Sequence, residues 1–108
     1  MKVSKELIKG SSSILVLSAL KDGDLYGYKI IKELERLSDN VFEFKEGTLY
    51  PILHALEEEN YLESYWEEVD GRKRKYYHLT RKGLKQLAEK KEEWKAYSTA
   101  VNKVLNFA

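Results

Sequence analysis

Apolar residues recur along this chain with helical spacing three times, then with strand spacing, then with helical spacing again. Over roughly the first 20 residues, Leu7, Ile8, Ile14, Leu15, Leu17 and Leu20 suit a helix, although Gly10 and Ser11–Ser13 weaken its middle. Lys21-Asp22-Gly23-Asp24 is a turn signal that ends it. A second helix is predicted from about Tyr26 to Leu37, with Ile30, Leu34 and Leu37 forming one apolar stripe. Gly27, near its start, costs about 1 kcal/mol against alanine in a helix, and a close approach of two helices would account for it.

Ser38-Asp39-Asn40 breaks the second helix, and Val41–Phe44 reads as a short extended link. A third helix starts near Glu46 or Gly47 and reaches Glu59, its inner face made by Leu49, Ile52, Leu53 and Leu56. Pro51 is expected in the first turn of that helix, where its missing N–H is harmless. Asn60 is suited to the left-handed conformation that closes a helix. Tyr61–Glu67 and Arg74–Leu79 are rich in aromatic and strand-compatible residues, and Asp70-Gly71 between them is a strong hairpin signal. Thr80 is a good N-cap for a last helix from Arg81 to about Asn106. At 1.5 Å per residue, a helix of about 26 residues is about 39 Å long, more than the width of a domain this size. It should project beyond its own core.

The expected fold is therefore mainly α with a small β-hairpin: a winged helix-turn-helix over residues 1–79, followed by a long C-terminal dimerisation helix over residues 80–108, the two forming one compact unit. A chain of 108 residues supports one core and not two. The last helix carries a partial heptad, Leu84, Leu87, Lys91, Trp94, Ser98, Val101 and Leu105, which asks for a partner; a symmetric homodimer is the simplest one. Lys91 and Ser98 interrupt that seam, which favours a loose interface with a gap around Trp94 over a tight coiled coil.

Composition narrows the chemistry. With no cysteine there is neither a disulfide framework nor a thiolate metal site, and two histidines on different elements supply no metal spacing and no nucleophile–base pair. No glycine-rich phosphate loop is present. An enzyme, a metal and a cofactor are all unexpected. The longest apolar run, Ile14–Leu17, is too short to span a bilayer and the start lacks a signal-peptide core, so a cytoplasmic protein without a membrane partner is expected. Net charge is only +1, with a pI near 7.8, which counts against a strongly DNA-seeking chain. The charges are segregated, however: Arg72, Lys73, Arg74 and Lys75 are consecutive, with Glu57, Glu58, Glu59, Glu63, Glu67 and Glu68 close by.

Two groups of residues are candidates for function. Once the third helix turns its leucines inward, Thr48, Tyr50 and His54 lie on other faces with Lys45 just ahead, where hydroxyls and cations can reach phosphates or base edges. Alone, that pattern describes any surface helix with Tyr50 half-buried; beside a hairpin carrying Arg72, Lys73, Arg74 and Lys75 it describes a DNA reader. In a strand, alternate members of that basic run point to opposite faces, so one pair can meet a phosphate backbone. The second group centres on Trp94, either plain core or an interface anchor, or one of two symmetry-related rings that stack a flat aromatic ligand. Trp66 is expected to pack under the wing.

Three segments, LYGYKIIKEL (Leu25–Leu34), EGTLYPILHALEEENYL (Glu46–Leu62) and GRKRKYYHLTRKGLKQL (Gly71–Leu87), resemble the PadR family of bacterial transcriptional regulators. The combinations GTLYP and RKYYxLTxxG are specific, and the matches cover most of residues 25–87 in order and spacing. The resemblance implies a winged helix-turn-helix and a homodimer held by the C-terminal helix, with the N-terminal helix packing on the partner's last helix. It also implies binding to a palindromic promoter site in double-stranded DNA, usually as a repressor. The single short C-terminal helix is similar to that of small, multidrug-responsive members, in which paired tryptophans sandwich planar aromatic compounds. By that similarity Trp94 would hold the ligand, Leu7 and Ile14 would line the pore, and Lys91 and Ser98 would lie beside it. The expectation is a dimeric repressor relieved by a small planar aromatic ligand. The alternatives are a winged-helix protein–protein module and a DNA-binding regulator with no ligand response.

Overall fold

The computed structural model describes residues 1–107. Its elements are α1 (Lys5–Lys9), α2 (Ser12–Ala19), β1 (Leu25–Tyr26), α3 (Gly27–Leu37), α4 (Glu46–Glu58), β2 (Leu62–Val69), β3 (Arg72–Leu79) and α5 (Arg81–Val104). The architecture is mainly helical with a small antiparallel sheet, in the winged helix-turn-helix order expected.

The N-terminal helix is a pair rather than one element. Ser11 donates its hydroxyl to the Ile8 carbonyl at 3.2 Å and Ser12 donates to Lys9 at 3.1 Å. These local bonds compete with the helical ladder at Gly10 and divide it. Helix α1 then carries no buried residue, while α2 sends Val16 and Leu17 fully into the core.

The sheet has three strands in the order β1-β3-β2, because Leu25 and Tyr26 pair with Tyr77 and Tyr76. Strand β1 was not expected; two residues are too few for a periodic signal. The hairpin runs further than its aromatic stretches suggest, to Val69 opposite Arg72, and closes through Asp70 (φ 53°) and Gly71 (φ 77°). Positive φ at both central residues matches the twist of a two-residue hairpin, which is why Asp-Gly serves there.

Helix α4 begins at Glu46, which puts Pro51 in the second turn rather than the first. The bond lost there would have used the carbonyl of Gly47, an exposed residue whose oxygen water can satisfy. Asn60 closes the helix at φ 64°, as its type predicts, and Tyr61 N–H bonds back to Leu56 O at 3.0 Å.

The core lies where α2, α3 and α4 meet beneath the sheet. Val16, Leu17, Ile30, Leu49, Leu53, Leu62 and Tyr77 are each essentially inaccessible. Helix α5 is fastened at its start: Thr80 accepts from Gly83 N–H at 2.9 Å and donates to Asn60 O at 2.7 Å. A Cβ on Gly83 would lie 2.1 Å from the Tyr61 carbonyl, so only glycine permits this approach. After Leu87 no residue of α5 is buried, and its 24 residues help stretch the molecule to 53 Å along its longest axis.

Candidate nucleic-acid interface and central cleft

Helix α4 presents Gly47, Thr48, Pro51, His54, Ala55 and Glu58 to solvent, a narrow stripe of small and polar residues at helical spacing. Lys45, also exposed, precedes it. Thr48 and Lys45 additionally border a shallow apolar groove against Ile8 and Lys9 of α1. Tyr50 is placed differently. Its ring fills the angle between α3 and α4, with the hydroxyl 2.5 Å from where a Gly27 Cβ would stand. Gly27 thus provides the close helix approach that its position suggested, and Tyr50 is the residue it admits.

The four cations of the wing divide into two pairs. Arg72 and Lys73, next to the turn, are exposed. The Arg74 guanidinium instead lies 4.3 Å from the Tyr26 ring centroid, and Lys75 Nζ is 3.9 Å from Glu57 Oε1 of α4. Ser64 donates to the other oxygen of Glu57 at 2.6 Å, so this carboxylate ties the inner face of the wing to α4. Trp66 does not pack under the wing: it is 67 % exposed, because the hairpin extends past the helices that would have covered it.

On the outer face of the sheet, Tyr26, Tyr76 and Tyr65 form a ladder across the three strands, with successive ring centroids 5.5 and 5.8 Å apart. At its end the Tyr65 hydroxyl donates to Asp24 Oδ2 at 2.7 Å, and His78 Nδ1 lies 2.8 Å from Asp24 Oδ1. Partial burial pushes the Asp24 pKa up, but the hydrogen bonds from Tyr65 and His78 outweigh it and hold it below the usual carboxylate range. Accepting from Tyr65 in this way pushes that phenol up to about 12. Tyr77 also stands at about 12, there chiefly because of burial.

A cleft of about 760 Å³ opens between α1, α2, the end of α4 and the middle of α5. Leu7, Ile14, Leu17, Leu56, Tyr61, Trp94 and Tyr97 form its apolar walls; Glu6, Glu59, Glu93 and Lys90 supply the charge. Trp94 and Tyr97 have centroids 5.8 Å apart, with planes tilted by 43°. The structure brings Leu7, Ile14 and Trp94 together and leaves Lys91 and Ser98 outside the lining. The wall follows Gln86, Lys90, Glu93, Trp94 and Tyr97, a stripe rotated about the helix from the heptad positions. Ser98 turns its hydroxyl back to the Lys95 carbonyl at 3.2 Å. Tyr97 and the carboxylates were missed by the sequence reading, although Tyr97 stands one turn beyond Trp94 and was a usable signal. Asp24 and His78, 54 residues apart, had none.

Among the described residues no cluster of His, Asp or Glu could hold a metal ion, and no helix is long and apolar enough to cross a membrane.

The profile of the "Transcriptional regulator PadR-like family" matches residues 16–89. The chain is 33 % identical over 85 residues to the transcriptional regulator Rv3488 of Mycobacterium tuberculosis, covering 79 % of this chain and 77 % of that one. Its fold matches a transcriptional regulator from Clostridium thermocellum with a TM-score of 0.85 and 36 % identity, covering 92 % and 97 % of the two chains. A PadR family transcription regulator from Clostridium difficile matches with a TM-score of 0.77 and 37 % identity, covering 89 % and 99 %.

Proposed function

Because this chain belongs to the PadR-like family of transcriptional regulators, and so is a regulator and not an enzyme, we propose that it acts as a homodimeric, ligand-responsive repressor of a palindromic promoter site. The observation that carries this reading is the exposed stripe of α4 standing beside a wing whose tip cations, Arg72 and Lys73, are exposed and form no ion pair among the described residues. The stripe is narrow enough for a major groove, and the tip suits the adjacent phosphates. Lys45, Thr48 and His54 are the helix contacts. Tyr50 supports them by setting the angle between α3 and α4, its hydroxyl lying against Gly27. Arg74 and Lys75 add positive potential while holding the wing.

The second copy covers the exposed apolar face of α5 and α1, so that two reading heads meet half-sites about one helical turn, or a multiple, apart. Within that interface the cleft holds a flat aromatic ligand between Trp94, Tyr97 and the partner. Glu6, Glu59 and Glu93 around it favour a cationic one. Ligand binding changes the spacing of the heads and releases DNA, in proportion to its preference for the released state. The protein works in the cytoplasm, where its operator is.

The test is an anisotropy titration of the full chain against its own upstream promoter, at two salt concentrations, with a scrambled duplex as competitor. Tight binding that survives competition and weakens steeply with salt is the expected result. Equal weak binding to both duplexes would refute the repressor reading and favour a wing that docks protein, for which the exposed Trp66 is available. A panel of planar dyes then tests the cleft: quenching of Trp94 fluorescence supports ligand response, and none on any dye leaves a constitutive regulator.

A further inference from the structure

Asp24 lies in the turn between α2 and β1 and touches both long strands of the wing at once. One carboxylate oxygen accepts from Tyr65 of β2 at 2.7 Å, and the other lies 2.8 Å from His78 Nδ1 of β3. An ionised carboxylate only accepts, so His78 donates from Nδ1 and the bond selects that tautomer. Tyr65 and His78 share the outward face of the hairpin, because the register sets Tyr65 opposite Tyr76 and Glu63 opposite His78. Two residues further on, Tyr26 carries Arg74 over its ring at 4.3 Å. Both contacts thus join the wing to the short segment that leads directly into α3.

That fastening sits at the base of a long arm. Six residues separate His78 from Arg72, about 20 Å of strand at 3.3 Å per residue, so a rotation of about 10° at the base moves the tip by about 3 Å. Such a displacement decides whether a tip cation reaches a phosphate directly.

Resting on the DNA-reading role above, we propose that Asp24 is a positioning residue for DNA binding: it latches Tyr65 and His78 to the turn ahead of α3 and so fixes Arg72 and Lys73 relative to the exposed face of α4. The sign of its effect distinguishes it from simple electrostatics. Removing a carboxylate from a surface that meets a polyanion strengthens binding through charge alone. Removing the latch weakens it.

The experiment compares Asp24→Ala with the unaltered chain on the upstream promoter duplex, alone and in an Arg72→Ala/Lys73→Ala background. Weakening of about tenfold is expected in the unaltered background and almost none once the tip cations are gone, since the latch acts through them. Affinity that is unchanged or raised, or a loss that is the same in both backgrounds, would overturn the latch. Should Asp24→Ala fail to fold, Tyr65→Phe keeps the carboxylate and His78 and removes one arm; a smaller weakening, again dependent on the tip cations, is expected, and none overturns the proposal.

A readout free of DNA is the His78 tautomer by nitrogen NMR, tractable because His54 is the only other histidine. The Nδ1–H form is expected in the unaltered chain and its loss in Asp24→Ala, with His54 unmoved; an Nε2–H form in the unaltered chain overturns the latch. If the unaltered chain does not distinguish promoter from scrambled duplex, the repressor reading on which the latch rests falls. Promoter binding that Asp24→Ala leaves intact removes only the latch.

Discussion

The body of this molecule and the outer half of α5 use apolar residues in opposite ways. In the body, the leucines and isoleucines of α2, α3 and α4 face one another, and Leu17, Ile30, Leu49 and Leu53 are closed off from water. Along α5 beyond Leu87 and just past its end, Trp94 is 48 % exposed and Tyr97 61 % exposed, and Val104, Leu105 and Phe107 are open to solvent as well. The body's apolar surface is satisfied within one chain. The helix's apolar surface is unmet there, and contiguous exposed surface of this kind marks an interaction site. Stability and assembly should therefore separate by mutation: one region sets whether the chain folds, the other what it folds against.

The largest contrast is expected between Leu53→Ala and Trp94→Ala. Truncating Leu53 leaves a cavity between α2, α3 and α4 and should cost about 3 kcal/mol in denaturant unfolding. Trp94→Ala should cost little in a dilute chain but shift sedimentation toward monomer. If Trp94→Ala destabilises the dilute chain as much as Leu53→Ala does, the two regions are one core and the contrast fails. Gly83→Ala belongs with the body although it lies on α5: its Cβ meets the Tyr61 carbonyl at 2.1 Å, and a loss comparable to the Leu53 cavity is expected by the same unfolding measurement.

A smaller effect separates the cations within the wing. Arg72→Ala/Lys73→Ala should lower the slope of log affinity against log salt by about two, if each meets one phosphate. Arg74→Ala should reduce affinity with less change of slope, because its guanidinium is held over Tyr26.

The smallest effect is that of pH on the Asp24–Tyr65 contact. Asp24 has a depressed pKa, so its contribution is present above the ordinary carboxylate range and is lost only as pH falls through the lower folded value. Tyr65 is raised to about 12, so its contribution is complete below the ordinary phenol pKa and is lost as pH rises toward 12. Between these limits, the difference in stability between the unaltered chain and Tyr65→Phe should be flat. A change in that difference near neutral pH would contradict the assignment.

Legibility followed the same division. Elements with an internal period or local chemistry were readable: the stripe of α3 through Ile30 and Leu34 (Leu37, its expected third member, is exposed), the inner face of α4, Asp70-Gly71, and the cap at Thr80. Their causes lie within a few residues of sequence. What depended on distant partners was not. Strand β1 exists because Tyr76 and Tyr77 offer it an edge, and no pattern in two residues announces that. Trp66 reads as core by type yet projects past the helices, which only the relative lengths of hairpin and body decide. The division of Arg72–Lys75 into two free and two held cations required Tyr26 and Glu57, remote in sequence from the run. In the cleft, Trp94 was legible and the rotation of its lining stripe was not, because a partial heptad and a helical period drift apart over several turns.

The central claim is that the exposed half of α5 exists to pair two reading heads on one operator. Sedimentation equilibrium of the full chain with its own upstream promoter duplex tests it most directly, with Trp94→Ala run beside it. Two chains per duplex, bound together with no populated single-chain complex, and a loss of that cooperative step in Trp94→Ala are the results this account predicts. One chain per duplex at saturation, or two that bind independently and indifferently to Trp94→Ala, would contradict it.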